Sequence, residues 1–377
     1  MIDFDFSKEC YSCSACKYIC PKDAISYDEK LHPTIYSDLC IDCGLCENNC
    51  IKMREHNYEE RINSNSSYIA RNKDDDFRNR SSSGGIFILL AQKVLEDGGA
   101  VCGCVFDENF LPHHVVTYDI ETTMKMMGSK YVMSDMENCI DIISKEIKKG
   151  KKVLFSGVPC QIEALLSSIP DCRNLILVAV VCHGSISRDV WMRYLLEECG
   201  NKKIKSISMR DKSHGWLNYG LKIQYEDGTE SISYRKEDGY FLKCFTDGIL
   251  ERERCLSCRY KGTNIRADIL LGDGWGIENV FPEMVDTLGV SSVICLTKKG
   301  DILVEAISEK MERKEIRVES IIERNARIVS PPTENPLREI FLMEMRRKDT
   351  NIHKLCKKYA NPPLIYKVYS KIIKAIK

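Results

Sequence analysis

The chain has 377 residues, of which 44% are hydrophobic, and its 55 basic residues balance 55 acidic ones. The length predicts two or three structural units, and the charge balance excludes a global positive field that attracts nucleic acid. The chain carries 20 cysteines. The first stretch, MIDFDFSKEC, has no apolar segment of an export signal, and no stretch approaches the ~18 apolar residues of a membrane span. We therefore expect a cytoplasmic protein, in which clustered cysteines bind metal rather than form disulfides.

The first 50 residues contain a repeated cysteine pattern. The run C-x2-C-x2-C-x3-C spans residues 10–20 and recurs at residues 40–50. Zinc usually takes two C-x2-C pairs separated by a longer loop, whereas a cubane cluster takes three closely spaced thiolates from one run and the fourth from the other. The pattern therefore favours two [4Fe-4S] clusters over zinc. The expected ligands are Cys10, Cys13, Cys16 and Cys50 for one cluster, and Cys40, Cys43, Cys46 and Cys20 for the other.

Residues 1–52 resemble a bacterial-type two-cluster ferredoxin. The resemblance implies an α+β ferredoxin-like iron–sulfur domain that transfers electrons. Pro21 follows the first run, but Ile51 stands after the second run, where the ferredoxin pattern often repeats the proline. The departure concerns the local turn and leaves the ligands in place. Residues 53–80 are polar and charged without periodicity, and we predict that they form a linker.

From Ser81 onward, the pattern is typical of a larger α/β domain. SSSGGIFILLAQKVLEDGG predicts a capped helix that ends at a glycine pair. The segments AVCGCVF, KKVLFSG, NLILVAVV, RADILLGDG and VSSVICL predict buried strands. LKIQYEDGTESISYR predicts a hairpin that turns at Asp227 and Gly228. We expect a domain over residues 81–341 with a mixed sheet, because the hairpin adds antiparallel strands to an alternation of strands and helices.

Residues 342–377 predict a basic, helical C-terminal tail. From Met343 onward, ten Lys and Arg residues stand against two acids, a net charge of +8. Two interpretations remain: the helix packs on the body or frays, or it docks on an acidic membrane surface or a partner protein. The expected apolar stripe consists of Leu364, Ile365, Val368, Tyr369, Ile372, Ile373 and Ile376, and the lysines beside it are Lys367, Lys371, Lys374 and Lys377.

Two short loops are candidates for binding phosphate. The run from Ser81 to Gly85 precedes an apolar helix, so the free N–H groups of that helix suit a phosphate or pyrophosphate. The alternative is a serine N-cap with glycines that allow tight packing. In GSKYV, the Lys130 ammonium and the Ser129 hydroxyl could meet a phosphate or a reduced flavin, whereas a lone lysine in a turn is often simply solvated.

Four further cysteines are candidates for a third metal centre. Cys255 and Cys258 form an isolated C-x2-C, which is half a site. Cys160 and Cys182 follow predicted strands, where open α/β sheets place their ligands. The four would hold a third [4Fe-4S] cluster or zinc, or they are separate buried thiols. The remaining cysteines are expected to be structural thiols: Cys102, Cys104, Cys139, Cys172, Cys199, Cys244, Cys295 and Cys356.

The segment LLGDGWG ends another predicted strand. Its glycines would let a cofactor ring approach the backbone, and Trp275 would stack on that ring. His183 also follows a predicted strand, and it is a candidate hydrogen donor to a reduced flavin or an ordinary hydrogen-bonding residue of a surface loop. The sequence has no Ser–His–Asp or Cys–His arrangement with hydrolase spacing.

An ordered series of motifs carries a second resemblance. RSSSGG, GSKYV, SGVPCQ, VCHG, DKSHGW, CLSC and ILLGDGWGI occur in this order within residues 78–341. They resemble the beta subunit family of coenzyme F420-reducing hydrogenases and dehydrogenases. One departure is visible, because Gly274 stands where that family often has an aromatic residue. One wall of the pocket is therefore expected to be open.

The resemblance implies an iron–sulfur flavoprotein oxidoreductase with FAD, or alternatively FMN. It would pass electrons between a ferredoxin or partner enzyme and a two-electron organic partner, coenzyme F420 by resemblance. One alternative is an electron-transfer adaptor without its own substrate site, and another is a zinc-stapled interaction protein. The candidate catalytic residues are Lys130 and His183. The candidate flavin-binding residues are Ser82, Ser83, Gly84, Gly85, Gly128, Ser129, Lys130, Gly157, Pro159, Gly272, Asp273 and Trp275.

Overall fold

The computed structural model describes residues 2, 4–54, 57–136, 138–347, 349–364 and 366. The helices are α1 Phe6–Glu9, α2 Ala15–Ile19, α3 Leu45–Asn49, α4 Asp75–Arg80, α5 Ile86–Glu96, α6 Ile120–Lys125, α7 Cys139–Lys148, α8 Pro159–Ser168, α9 Arg188–Cys199, α10 Tyr240–Thr246, α11 Glu253–Leu256, α12 Lys298–Ala306, α13 Val318–Arg324, α14 Arg338–Met345 and α15 Ile352–Ala360. The strands are β1 Ile25–Tyr27, β2 Pro33–Ile35, β3 Ser66–Asn72, β4 Ala100–Phe106, β5 Pro112–Thr117, β6 Val153–Gly157, β7 Leu175–Val180, β8 Ile204–Asp211, β9 Gly220–Tyr225, β10 Glu230–Tyr234, β11 Ile269–Asp273, β12 Ser291–Cys295 and β13 Met311–Glu315.

The central element is a sheet that, in the described residues, has eight strands in the order β13-β3-β12-β11-β7-β6-β4-β5. The strands β4, β6, β7 and β11 are parallel, whereas β5 at one edge and β12, β3 and β13 at the other pair antiparallel. The predicted mixed sheet is therefore confirmed. The carboxyl ends of the four parallel strands lie at one edge of the sheet, where such folds bind ligands.

Both faces of the sheet are covered, which explains why its inner strands are apolar throughout. Along β6, Val153 and Phe155 face the cluster that contains α7 and α8, whereas Leu154 faces the cluster that contains α5 and α12. This alternation follows from the two-residue period of a strand. The result is a three-layer arrangement with helices on both sides.

The predicted hairpin is present, and Gly228 takes a positive φ of 84° in its turn. It does not belong to the main sheet, however. With β8 it forms a separate three-stranded antiparallel sheet in the order β10-β9-β8. Apolar residues of this sheet, such as Leu221 and Ile223, pack in the same core cluster as residues of α9, α10 and α15. The antiparallel strands of the main sheet are different segments of the chain.

The repeated cysteine pattern in the sequence is also a repeat in structure. Each run forms a five-residue helix, α2 or α3, that contains the third cysteine and is capped by the fourth, Cys20 or Cys50. Both helices begin after a residue with positive φ, Ser14 (62°) and Gly44 (71°). The strands β1 and β2 pair antiparallel between the two runs. This unit packs against the larger one, because the Asn49 side chain donates to the Ser168 hydroxyl at 3.1 Å.

The linker prediction for residues 53–80 is wrong over residues 66–80. Strand β3 lies inside the main sheet, between β12 and β13, and α4 follows it. The sequence pattern missed this strand because both of its ends are polar. In the fold, the side chains at its start are hydrogen-bonded rather than solvated. Ser66 donates to Asp301 at 2.5 Å, and Ser67 donates to the carbonyl of Ile316.

The described part of the tail is helical and packed. Helix α15 buries Ile352, Leu355, Cys356 and Tyr359 against α9 and α10. Of the expected apolar stripe, only Leu364 lies among the described residues, and it is exposed. In the described ranges, no helix is both long and apolar enough to cross a membrane.

Candidate functional site

A cavity of about 550 Å³ lies at the carboxyl ends of the parallel strands. We call it the strand-end cavity. It brings together most of the predicted site residues, although they come from distant parts of the chain. Those that line it are Ser82, Ser83, Gly85, Gly128, Ser129, Lys130, Gly157, Cys160, Cys182, His183, Cys255, Cys258, Gly272, Asp273 and Trp275.

Two predicted flavin-binding residues, Gly84 and Pro159, are not among the residues that line this cavity. A Cβ atom on Gly84 would lie 2.4 Å from the carbonyl oxygen of Ala70 and 2.6 Å from the backbone nitrogen of Ser291. The glycine is therefore needed for close packing of the loop on β3 and β12. Pro159 occupies the first turn of α8, where its missing N–H costs nothing.

The serine loop before α5 does not supply a serine N-cap. The N-cap residue is Gly85, with a φ of 75°, and no side chain of the described residues caps the helix. The serine hydroxyls point elsewhere: Ser82 lies 2.7 Å from Ser129, and Ser83 lies 2.9 Å from Ser291. The N–H groups of the first turn of α5 therefore remain available beside the cavity.

Lys130 is not a solvated lysine. Its ammonium donates to the carbonyl oxygens of Lys125 and Met127 at 3.2 Å, near the end of α6. Burial lowers the pKa of this ammonium, although a thiolate at Cys104 would raise it. The ammonium caps a helix end and also contributes to the wall of the cavity.

The Asp273 side chain is held by an arginine that the sequence analysis missed. Arg210 donates from Nη1 to both carboxylate oxygens at 3.0 and 2.8 Å, and the Trp216 indole lies 3.4 Å from one of them. Trp275 stacks on Trp216, with ring centres 4.6 Å apart and planes at 8°. The sequence pattern of β8 indicates a strand. The contact between the end of this strand and Asp273 depends on tertiary structure, which a local pattern does not reveal.

His114 is a second missed residue of this wall. Its Nδ1 lies 3.3 Å from the hydroxyl of Ser134, its ring stacks on Phe155, and its Nε2 has no partner among the described residues. Burial lowers the pKa of His114 to about 4, so that the imidazole is neutral at physiological pH. A neutral imidazole in the cavity wall can accept or donate one hydrogen bond to a ligand.

His183 is not a surface residue. It lines the cavity, and its Nε2 lies 3.3 Å from Oε1 of Glu251, whose side chain is fully buried. The edge of its ring contacts Phe245, with ring centres 5.3 Å apart. The imidazole is therefore packed beside Glu251 and Phe245, at the position that follows Cys182 in the chain.

Four thiols converge on one side of the strand-end cavity. We call Cys160, Cys182, Cys255 and Cys258 the third set, because all four line this cavity. Burial raises the pKa of Cys160, and the charges of the other three thiolates raise it further. Burial also raises the pKa of Cys258 to about 11, against the charge of Lys261.

The two N-terminal sets occupy two separate small cavities with the predicted exchange of the fourth cysteine. The first set, Cys10, Cys13, Cys16 and Cys50, lines one of them. The second set, Cys20, Cys40, Cys43 and Cys46, lines the other. All 20 cysteines are free. Sets of four thiolates fit the ligand requirement of a [4Fe-4S] cluster.

Among the described ranges, no group of three His, Cys, Asp or Glu side chains has the arrangement to hold a single metal ion. Of the expected structural thiols, Cys104 differs from the prediction because it lines the strand-end cavity. The other seven lie outside the lining of these three cavities.

The first set is adjacent to the third set. Cys13 packs in a buried cluster with Tyr11 and Tyr260, and Cys160 and Cys258 pack against that cluster. Two buried arginines fix this contact. Arg252 donates to the carbonyl oxygen of Cys10 at 3.0 Å and to the hydroxyl of Ser12 at 2.7 Å. Arg254 donates to the phenol oxygen of Tyr11 at 2.6 Å.

Known proteins are similar to this chain over its larger unit. The N-terminal part of the family described as "Coenzyme F420 hydrogenase/dehydrogenase, beta subunit" matches residues 67–141, and the C-terminal part of the same family matches residues 150–321. The coenzyme F420-dependent sulfite reductase of Methanocaldococcus jannaschii is 29% identical over 171 residues, which are 41% of this chain and 24% of that protein. The match therefore spans about a quarter of the length of that curated relative.

Among solved structures, a chain of the F420-reducing [NiFe] hydrogenase complex from Methanosarcina barkeri, determined as a xenon derivative, is similar at 19% identity and a TM-score of 0.48. That similarity covers 72% of this chain and 93% of the other. The two family matches together extend over well more than half of the chain. The chain belongs to the coenzyme F420 hydrogenase/dehydrogenase beta subunit family.

Proposed function

We propose that the chain is an iron–sulfur flavoprotein oxidoreductase. It passes electrons between a ferredoxin-type partner and a two-electron organic partner, coenzyme F420 by resemblance. The observation that carries this proposal is the packing of Cys13 of the first set against Cys160 and Cys258 of the third set, which lines the strand-end cavity. The names of the relatives support the redox role and the choice of coenzyme F420.

The cysteine sets form a series from the surface to the cavity. Cys43 of the second set is exposed, whereas Cys10, Cys13 and Cys16 of the first set are buried. When bound, iron–sulfur clusters supply one-electron transfer, and a flavin connects it to two-electron chemistry. The chain would hold its second set toward a protein partner and its third set beside the organic reactants.

The residues around the serine loop fit the phosphate groups of FAD. The N–H groups of the first turn of α5 have no side-chain cap, and the hydroxyls of Ser82 and Ser129, 2.7 Å apart, line the same cavity as Gly85. A pyrophosphate at a helix N-terminus is stabilised by these donors and by the helix dipole. Trp275 and Gly272 form the part of the wall that suits a flat ring.

The charges around the third set also fit thiolate ligands. Cys160 lies in the first turn of α8, where the helix dipole stabilises a negative sulfur. The Lys261 ammonium lowers the pKa values of Cys182 and Cys258, against the dominant effect of burial. Burial nevertheless dominates and raises the pKa values of these thiols, so the proposed cluster would have to displace their protons on binding.

The content of iron and flavin in protein purified without oxygen tests this function. Three cubane clusters predict about 12 irons per chain, together with one flavin. Such a preparation, reduced by a ferredoxin, should reduce added coenzyme F420. An iron content of about 8 per chain without flavin would contradict the proposed enzyme. It would favour the alternative, an adaptor that transfers electrons between a partner enzyme and ferredoxin.

A further inference from the structure

The separate three-stranded sheet forms one wall of the strand-end cavity. Arg210 lies near the end of β8, Tyr219 comes directly before β9, and Arg235 comes directly after β10, and all three line the cavity. The guanidinium carbon of Arg210 lies 4.4 Å from the centre of the Tyr219 ring, and that of Arg235 lies 5.6 Å from it. We call Arg210 and Arg235 the arginine pair.

The arginine pair has donors that the described protein groups leave unused. Arg210 is only 6% exposed, yet its Nε and Nη2 have no hydrogen-bond partner among the described residues. The same holds for Nε of Arg235. A buried donor without a partner costs about 1–3 kcal/mol, more when it is charged. Donors of this kind in a cavity wall are explained by a ligand that accepts from them.

The charge at this wall is also unbalanced. Asp273 pairs with Arg210, with the nearest oxygen 2.8 Å from Nη1. Lys212 lies nearby, but its side-chain nitrogen is directed away, toward the carbonyl oxygens of Arg78 and Leu288. Asp273 is the single carboxylate among the described residues that line the cavity, against the guanidiniums of Arg210 and Arg235, and the remaining positive charge attracts an anion.

We infer that the arginine pair binds the anionic group, a phosphate or a carboxylate, of the organic substrate. This inference rests on the proposed function and names the class of its substrate. The planar fork of a guanidinium matches both anions with two parallel hydrogen bonds. Arg235 is only half-buried, so a ligand that enters and leaves can reach it. The serine loop before α5 supplies separate donors for the phosphates of the cofactor.

Inorganic phosphate is the probe for this site. Phosphate is titrated calorimetrically into the flavin- and cluster-loaded protein, with chloride holding the ionic strength constant. The substitution Arg235→Gln should weaken phosphate binding at least tenfold and leave the flavin and iron contents unchanged. Arg210→Lys keeps the charge beside Asp273 but loses the fork, and it should weaken binding several-fold. Lys205→Gln removes an exposed charge from β8 and is the matched control, for which the affinity should not change.

Several results would overturn the inference. The first is an equal phosphate affinity in the wild type and in Arg235→Gln. This comparison can be made even if Arg210→Lys fails to fold. Loss of flavin from Arg235→Gln at full iron content is another, because it assigns the anion site to the cofactor. A wild-type preparation without flavin would contradict the proposed function instead. The flavin measurement alone distinguishes this failure from a failure of the inference on the arginine pair.

Discussion

Cys13 and Cys160 belong to different units of the chain, yet they lie at the same buried contact, next to Tyr11. The two thiols are close enough for the charge of one to raise the pKa of the other, after the larger effect of burial on Cys160. A contact of this kind would keep the two proposed cluster sites at a fixed separation without movement of a domain.

Substitution of Tyr11 should separate the roles of packing and hydrogen bonding at this contact. Tyr11→Ala removes a ring that packs edge-on against Tyr260, with ring centres 5.2 Å apart. The substitution should lower the free energy of unfolding by about 3–5 kcal/mol. Tyr11→Phe keeps the ring and removes the hydroxyl, which accepts from the Arg254 side chain and from the backbone N–H of Arg259, at a cost of about 1–3 kcal/mol. Chemical denaturation under anaerobic conditions measures both.

The same two variants also test the electron path. With Tyr11→Phe, the rate of flavin reduction by a ferredoxin should be close to that of the wild type, whereas Tyr11→Ala should slow it. Iron content is the control, since both variants should keep all clusters. Equal rates in the two variants would show that electrons enter the cavity by another route.

The exchange of the fourth cysteine between the two runs gives a second prediction. Cys20 lines the cavity of the second set and Cys50 that of the first. Cys20→Ser should therefore perturb the electron paramagnetic resonance signal of the exposed cluster, and Cys50→Ser that of the buried one. Cys172→Ser, a half-buried thiol outside all three sets, is the matched control. If each serine variant instead perturbed the cluster of its own run, the assignment would be wrong.

Spacing in the sequence predicted these sets because a short loop fixes which thiols converge. Local signals also predicted the hairpin. The mixed sheet was predicted for the wrong reason, because the hairpin lies outside it and its antiparallel strands are β3, β5, β12 and β13. Reasoning from the sequence missed β3, since only Tyr68, Ile69 and Ala70 make an apolar centre between polar ends. It missed Arg210 because the partner of that guanidinium, Asp273, is distant in sequence. Contacts between distant segments are determined by packing in the fold, and a periodic pattern along the sequence does not reveal them.

The close packing of the serine loop gives a third prediction. Gly84→Ala places a methyl group within 3 Å of backbone atoms of Ala70 and Ser291, so that β3 or β12 must shift. We expect a loss of about 1–3 kcal/mol of unfolding free energy together with a loss of bound flavin. Ser82→Ala, in comparison, should weaken flavin binding with little loss of stability. Flavin retained in Gly84→Ala at wild-type stability would contradict the assigned geometry.

Lys212 gives a prediction on the pH dependence of stability. Burial, with the charges of Arg210 and Arg78, lowers the pKa of Lys212 to about 7 in the folded protein, whereas an unfolded lysine titrates near 10.4. Between these values the unfolded chain binds more protons, so the contribution of Lys212 to stability rises as pH increases from about 7 to about 10. Below pH 7 both states are protonated, and this contribution no longer changes.

The measurement compares unfolding free energies of the wild type and Lys212→Met at several pH values. Their difference should increase by several kcal/mol in favour of the wild type across that window, because each pKa unit is worth about 1.4 kcal/mol. Lys205→Met, at an exposed position of β8, the strand that ends directly before Lys212, should show no such trend. A difference that is independent of pH would mean that Lys212 stays charged throughout.

Two truncations test what the basic tail contributes. Deletion of residues 350–377 removes α15, which buries Ile352, Leu355 and Tyr359 against α9 and α10. Deletion of residues 367–377 keeps α15, together with the contact between Lys358 and Glu344 at 2.8 Å. We expect the longer deletion to lower the melting temperature by many degrees, because several large apolar side chains lose their burial. The shorter deletion should leave the melting temperature, the iron content and the flavin content unchanged.

The rate at which a ferredoxin reduces the shorter variant, compared with the rate for the wild type at low and high salt, then shows whether the last lysines bind a protein partner. A rate that falls only at low salt would support docking by charge. An unchanged rate would exclude residues 367–377 from docking and leave the tail only the packing of α15.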